Sequence, residues 1–128
     1  MDPKIWGPSA WRFLHSVALT YPEKPNNQDK INIKNFYYNV TDILPCVLCQ
    51  QHYKNNLQKH KLTDQILSSK DLLNKWLVDV HNEVNIINNK KIYKYTNTQD
   101  LYNKLFNNNN KYYFALIILI IFAIIIKY

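Results

Sequence analysis

IKNFYYNVTDILPCVLC, residues 33 to 49, decides how this chain folds. Ile33, Phe36, Tyr37, Val40, Ile43 and Leu44 recur at i, i+3, i+4 and i+7, which lines them along one stripe of an α-helix. Pro45 has no amide hydrogen to donate, so that helix ends there. A new helical segment opens at Pro45-Cys46, with proline at the position a helix tolerates best, and continues through Cys49, Tyr53 and Leu57. The two cysteines of the chain therefore share one first turn.

The same periodicity extends in both directions. Upstream, Trp11, Leu14, His15 and Ala18 mark a helix that Pro8 and Ser9 suit as a start and Pro22 as a stop. Downstream, Ser69 and Asp71 open a helix whose apolar face is Leu73, Trp76, Leu77, Val80 and Val84, with Lys75, Asp79 and Glu83 opposite. Thr98, Gln99 and Asp100 begin a short fifth helix bearing Leu101, Leu105 and Phe106. No alternating strand pattern of useful length occurs, and a single glycine leaves little material for hairpins. The predicted fold is all-α, a four-helix bundle with a short fifth helix.

Of 128 residues, 47% are apolar, enough for one domain with a core. Residues 1–106 form that domain, the asparagine run closing at Lys111 reads as a linker over 107–111, and residues 112–128 read YYFALIILIIFAIIIKY. That last run, flanked by lysines and tyrosines, reads as an apolar C-terminal helix serving as a membrane anchor. A buried core helix is the alternative, but a bundle this small has nowhere to hide a helix apolar all round. Sixteen Lys plus Arg against nine Asp plus Glu give a net charge of +7. The basic residues are dispersed lysines with Arg12 the only arginine, which argues against nucleic acid as a partner. Asp2, Pro3 and Lys4 occupy positions where a signal peptide needs an apolar core, so synthesis in the cytosol is expected. Asn39-Val40-Thr41 matches a glycosylation acceptor but falls within a helical pattern and is discounted.

Chemistry concentrates in two places. Cys46 and Cys49, spaced to form a disulfide, sit where free backbone N–H groups and the helix dipole favour a thiolate, which makes the pair redox-active. The same spacing is half of a zinc site that His52 or His60 would have to complete. No second cysteine pair or His-x-x-x-His spacing follows, so no metal is expected. A thioredoxin-type setting needs a βαβ unit, and none is visible. On the fourth helix, His81 and Asn85 share a face beside the strip of Trp76, Val80 and Val84, and Trp11 and His15 repeat the spacing on the first. Such polar-edged aromatic strips suit a planar ligand, although core packing of each Trp and His is the simpler reading of either pair alone.

Trp6-Gly7, Trp11, Leu14-His15, Ala18, Tyr21-Pro22, Pro45-Cys46-x-x-Cys49, Trp76-Leu77 and His81-Asn82-x-Val84-Asn85 follow the order and spacing of the Erv/ALR family of FAD-linked sulfhydryl oxidases. The resemblance runs from Trp6 to about Tyr93, and it is closest in kind to the short two-cysteine members of large DNA viruses. It implies a helical bundle, usually a homodimer, that holds FAD without a glycine-rich fingerprint. By position, Gly7, Trp11, His15 and Tyr21 would contact the cofactor from the first helix, and Trp76, His81, Asn82, Val84 and Asn85 from the fourth. Lys90 and Tyr93 would do so just beyond, with Lys90 or Lys91 near the pyrophosphate. His52 would tune a thiolate or the flavin edge, or else simply sit on the helix surface.

The implied reaction starts with a protein dithiol, a thioredoxin-like carrier being the natural substrate, attacking Cys46 through a mixed disulfide. Cys49, against the isoalloxazine, would pass two electrons to FAD, and O2 would take them on to give H2O2. Family members with a shuttle cysteine pair and a structural disulfide carry more cysteines than this chain, so Cys46 would meet its substrate directly. The anchor would hold the enzyme on a virion or host internal membrane with its catalytic domain in the cytosol. The rival reading is a tail-anchored helical adaptor or structural membrane protein, in which the cysteine pair only stabilises the fold.

Overall fold

A computed structural model describes residues 1–106; the linker and apolar run expected over 107–128 lie outside the described residues. The chain divides into two compact units at Thr98/Gln99. The first contains α1 (Pro3–Leu19), α2 (Asn27–Ile43), α3 (Val47–Lys59), a 3-10 turn (Ile66–Ser68) and α4 (Lys70–Ile87). The second opens within α5 (Thr98–Phe106), where Asp100 in the first turn and Lys104 in the last both suit the helix dipole. No strand occurs among the described residues, and none of their helices is long and apolar enough to cross a membrane.

α1 to α4 each begin on a side-chain cap. Asn26 and Asp29 form a reciprocal capping box at α2, the Ser69 Oγ accepts from the Leu72 amide at α4, and the Asp2 carboxylate accepts from the Lys4 amide at α1. That last cap moves the start of α1 from the expected Pro8–Ser9 back to Pro3, with Pro3 at the tolerated first position and Pro8 inside the helix. The amide missing at Pro8 would have met the carbonyl of Lys4, a residue on the exposed first turn. Pro45 likewise stands outside α3, and Cys46 takes the capping position.

α4 is the central element, packing on α1, α3 and the 3-10 turn, while α2 packs on α3 and the same turn. This explains why its buried face is wider than the expected stripe: Leu73, Trp76, Leu77 and Val80 are joined inside by Asn74, Val78, His81 and Asn85. Ile33, Tyr37 and Val40 of α2 are buried, and Phe36 and Leu44 pack partly buried against the same core. Ile43 departs from expectation at 75% exposed. It occupies the edge of the stripe, and Leu44 then turns to extended backbone, which ends the helical register. Glu83, expected on the solvent face, instead accepts from Lys59 Nζ at 2.7 Å and pairs with His60 Nε2 at 2.8 Å.

Candidate active site

The break after α2 builds the reactive centre. With Leu44 extended and Pro45 following, the chain re-enters a helix at Cys46, whose Sγ accepts from the Cys49 amide at 3.2 Å. Cys46 and Cys49 are joined as a disulfide with Cα atoms 5.1 Å apart. Both are half-buried. The unpaired amides of this first turn and its dipole stabilise a thiolate released at either sulfur. Gln50 braces the break, its side-chain amide donating to the carbonyls of Leu44 at 2.8 Å and Asp42 at 3.3 Å. His52 is half-buried on the next turn.

The second constellation joins α1 to α4. The rings of Trp11 and His81 stack 3.9 Å apart and 5° from parallel, and His15 Nε2 lies 3.0 Å from His81 Nδ1. Burial drives the His15 pKa down to about 4. Burial, then the neighbouring His15, then Lys90 drive that of His81 down to about 3. Both rings are therefore neutral at pH 7, and one proton is shared in the contact. If His15 Nε2–H donates, the unpartnered His15 Nδ1 is an acceptor rather than a stranded N–H, the less costly arrangement.

Beyond α4 the chain doubles back. Asn89 adopts φ 52°, the Asn89 amide donates to Ile86 and the Lys90 amide to Asn85, a left-handed helix stop. The returning segment is pinned at two points. Asn82 donates to the Tyr93 carbonyl and accepts from the Tyr93 amide, at 2.9 and 2.8 Å. Asp71 accepts from the Tyr95 hydroxyl at 2.6 Å and from the Thr98 amide and hydroxyl at 3.1 and 2.9 Å. These bonds, the one from Tyr95 foremost, hold the Asp71 carboxyl below its usual range. The pinning brings the Tyr93 ring to 5.1 Å from His81, with Lys90 and Lys91 exposed on the same segment. Asn82→Ala removes both bonds to Tyr93. We expect the Tyr93 amide to exchange roughly tenfold faster or more, read by hydrogen exchange; unchanged protection would show that Asn82 does not hold the segment.

Trp11, His15, His81 and Tyr93 are thus one cluster, with Asn85 buried one turn along from His81 and Val84 half-buried beside it. Trp76 and Tyr21 are elsewhere in the core. Trp76 packs edge-on to Tyr37 and donates to the His60 carbonyl at 2.8 Å, and the Tyr21 hydroxyl donates to the Leu67 carbonyl at 2.9 Å. A Cβ at Gly7 would meet nothing within 4 Å, so no close approach demands glycine there. On the inner face of α3, Tyr53 was expected only as part of the helix pattern and Asn56 was not anticipated; Tyr53 Oη, Asn56 Nδ2 and Asn85 Nδ2 are buried without partners among the described residues. Their signal was only polarity within an apolar stripe. No three His, Cys, Asp or Glu among the described residues gather as a metal site, and His60 is engaged with Glu83. An open groove of about 300 Å³ between α1 and α2 reaches Tyr21 but not the cysteines, so it is not the reactive centre.

The family model of the Erv1/Alr family matches residues 8–104. The chain belongs to the Erv1/Alr family. An Acanthamoeba polyphaga mimivirus protein named as a probable FAD-linked sulfhydryl oxidase is 42% identical over 95 residues, 74% of this chain and 66% of that protein. An African swine fever virus FAD-linked sulfhydryl oxidase is 33% identical over 97 residues, 76% of this chain and 79% of that one. The chain thus spans about two thirds to four fifths of these two relatives. Among solved structures, the yeast Erv1 core superposes with a TM-score of 0.73 at 26% identity, covering 84% of this chain and 86% of that one. The FAD binding domain of Erv1 from Saccharomyces cerevisiae gives 0.68 at 31%, covering 73% and 87%. The Erv1/Alr assignment spans both constellations, since residues 8–104 include the cysteine pair and the α1–α4 aromatic cluster.

Proposed function

We propose that this chain is an FAD-dependent sulfhydryl oxidase that forms disulfides in protein dithiols. The observation that carries the reading is the Cys46–Cys49 disulfide at the N-terminus of α3 in an Erv1/Alr bundle. The remaining residues fit FAD. Trp11 and His81 offer flat aromatic faces, and the unpartnered buried atoms of His15, Tyr53, Asn56 and Asn85 offer hydrogen bonds to a polar-edged planar group. Lys90 and Lys91 supply positive charge for a pyrophosphate, and the Asn82 and Asp71 bonds hold the segment that carries them. Bound FAD supplies a two-electron acceptor that O2 reoxidises, with H2O2 as product.

The chain's own residues perform the exchange. A substrate thiolate attacks Cys46 Sγ, forming a substrate–Cys46 disulfide and releasing Cys49 as a thiolate that the helix N-terminus stabilises. The second substrate thiol, deprotonated, attacks the substrate sulfur of that bond and frees Cys46. The substrate leaves oxidised by two electrons, its two protons end on the enzyme sulfurs by way of solvent, and the enzyme holds two thiols.

The finer proposals concern partners and place. A small thioredoxin-like dithiol protein suits direct reaction at Cys46. A homodimer is supported by exposed Phe13 on α1 and Ile31 on α2, beside the groove between those helices. The run Tyr112 to Ile126 supports a C-terminal membrane anchor with the catalytic domain in the cytosol. The viral relatives support a virion or internal membrane as its location.

The test is a visible absorption spectrum of the full chain in detergent, before and after dithiothreitol with oxygen excluded. A yellow protein bleached by the thiol is expected. A colourless protein that takes up no added FAD would return the chain to the adaptor reading.

A further inference from the structure

Three of the most exposed apolar side chains among the described residues surround the reactive disulfide. Val47 and Leu48, between the two cysteines, are 81% and 63% exposed, and Ile43, three residues before Cys46, is 75% exposed. The start of α1 reaches the same loop, because the Met1 amino group donates to the Pro45 carbonyl at 3.0 Å, and Met1 is itself 78% exposed. The loop conformation follows from the break at Leu44–Pro45, which ends α2 with Ile43 outward, and from the capping role of Cys46, which leaves Val47 and Leu48 as the first two helical residues. Neither Val47 nor Leu48 belongs to the buried core. Val and Leu are ordinarily among the residues a fold buries, and single exposed ones need no explanation. Three of them around a half-buried disulfide that must be reached from outside form a patch whose position has a chemical meaning.

We infer that Ile43, Val47 and Leu48 form the docking face for the protein dithiol, and that it selects substrates whose reactive cysteine is flanked by apolar side chains. This rests on the oxidase reading, because the exchange brings the partner's sulfur into bonding distance of Cys46 Sγ and therefore brings the residues beside that sulfur onto this patch. Side-chain charge does not select the partner at the sulfurs: the residues flanking them and the neighbouring Pro45 carry none, and the Met1 ammonium is engaged with the Pro45 carbonyl. Contact of apolar side chains removes water from both surfaces and from around the exchanging sulfurs.

Two reduced Cys-x-x-Cys peptides of equal length test this, one with leucines beside the cysteines and one with serines, using the full-length, flavin-loaded protein in detergent. The expected result is a kcat/KM about tenfold or more higher for the leucine peptide. In Val47→Ser/Leu48→Ser the ratio between the peptides falls toward one. Equal kcat/KM for the two peptides in the unaltered protein overturns the docking face while leaving the oxidase reading intact. Absence of any oxidation, of either peptide or of dithiothreitol, overturns the oxidase reading and the docking face together. Self-association of the unaltered protein that disappears in Val47→Ser/Leu48→Ser would assign the patch to a second copy of the chain and also overturn the proposal.

Discussion

Cys46→Ser and Cys49→Ser, each made alone, lower dithiol-driven peroxide formation by about 10³-fold or more, because each removes one half of the bond that the substrate must break. Serine oxygen at position 46 cannot form that bond, so an incoming thiolate has no electrophilic sulfur and no leaving thiolate. Serine at 49 leaves Cys46 a free thiol that is already reduced and has nothing to transfer. The loss is chemical rather than structural. The ring closed by the bridge spans residues 46 to 49 only, and removing so short a closure costs about 2 kcal/mol in the chain-entropy account. At position 46 serine is also a better helix cap than the cysteine sulfur, so the Cys49 amide keeps an acceptor. Both variants are accordingly expected to remain folded in thermal unfolding while inactive in an oxygen-consumption assay with dithiothreitol. Turnover within threefold of the unaltered protein in either variant would remove the disulfide from the mechanism.

What could be read in the sequence was what depends on local spacing. The α2 stripe Ile33, Tyr37, Val40 and the α4 stripe Leu73, Trp76, Leu77, Val80 carry a 3.6-residue period that burial requires, and Ser69 carries cap chemistry. The redox pair was legible for the same reason: a proline and two cysteines fix a helix start within five residues. Partners across the bundle were not legible. Nothing in the spacing of Trp11 and His15 says that His81 stacks on one and bonds the other, nor that Trp76, five residues before His81, instead donates to the His60 carbonyl in the core. Glu83 reads as solvent-facing until α3 brings Lys59 and His60 to it. The Asn82–Tyr93 clamp depends on a left-handed turn at Asn89, for which the Asn88-Asn89 pair past the apolar pattern was the only trace. The family resemblance supplied the grouping of His15, His81 and Tyr93 that local spacing lacked.

That grouping makes the FAD-free protein sensitive to mild acid. His15 and His81 titrate in the native state at about 4 and about 3, against about 6.5 in the unfolded chain. Above pH 6.5 both states hold the rings neutral, and the histidines give stability no pH dependence. As pH falls below 6.5 the unfolded state takes up protons that the native state refuses, so stability declines, and it continues to decline until the native pKa values are reached. Between pH 6.5 and 5 each ring removes at most about 2 kcal/mol, roughly 4 kcal/mol for the pair, a large share of the ~5–15 kcal/mol that holds a domain of this size. The carboxyls of Asp71 and Glu83, held below their usual range by the Tyr95 hydroxyl and by Lys59, contribute stability that is lost only at lower pH, as they protonate. The interval from 6.5 to 5 therefore isolates the buried pair. Urea unfolding at pH 7 and pH 5 should show a midpoint that falls steeply in the FAD-free protein, and His15→Gln/His81→Gln should flatten most of that fall. Equal acid slopes in the two proteins would mean that both rings already carry their proton, or lose their burial, well above pH 5, and the neutral His15–His81 contact would then be the wrong description of this site.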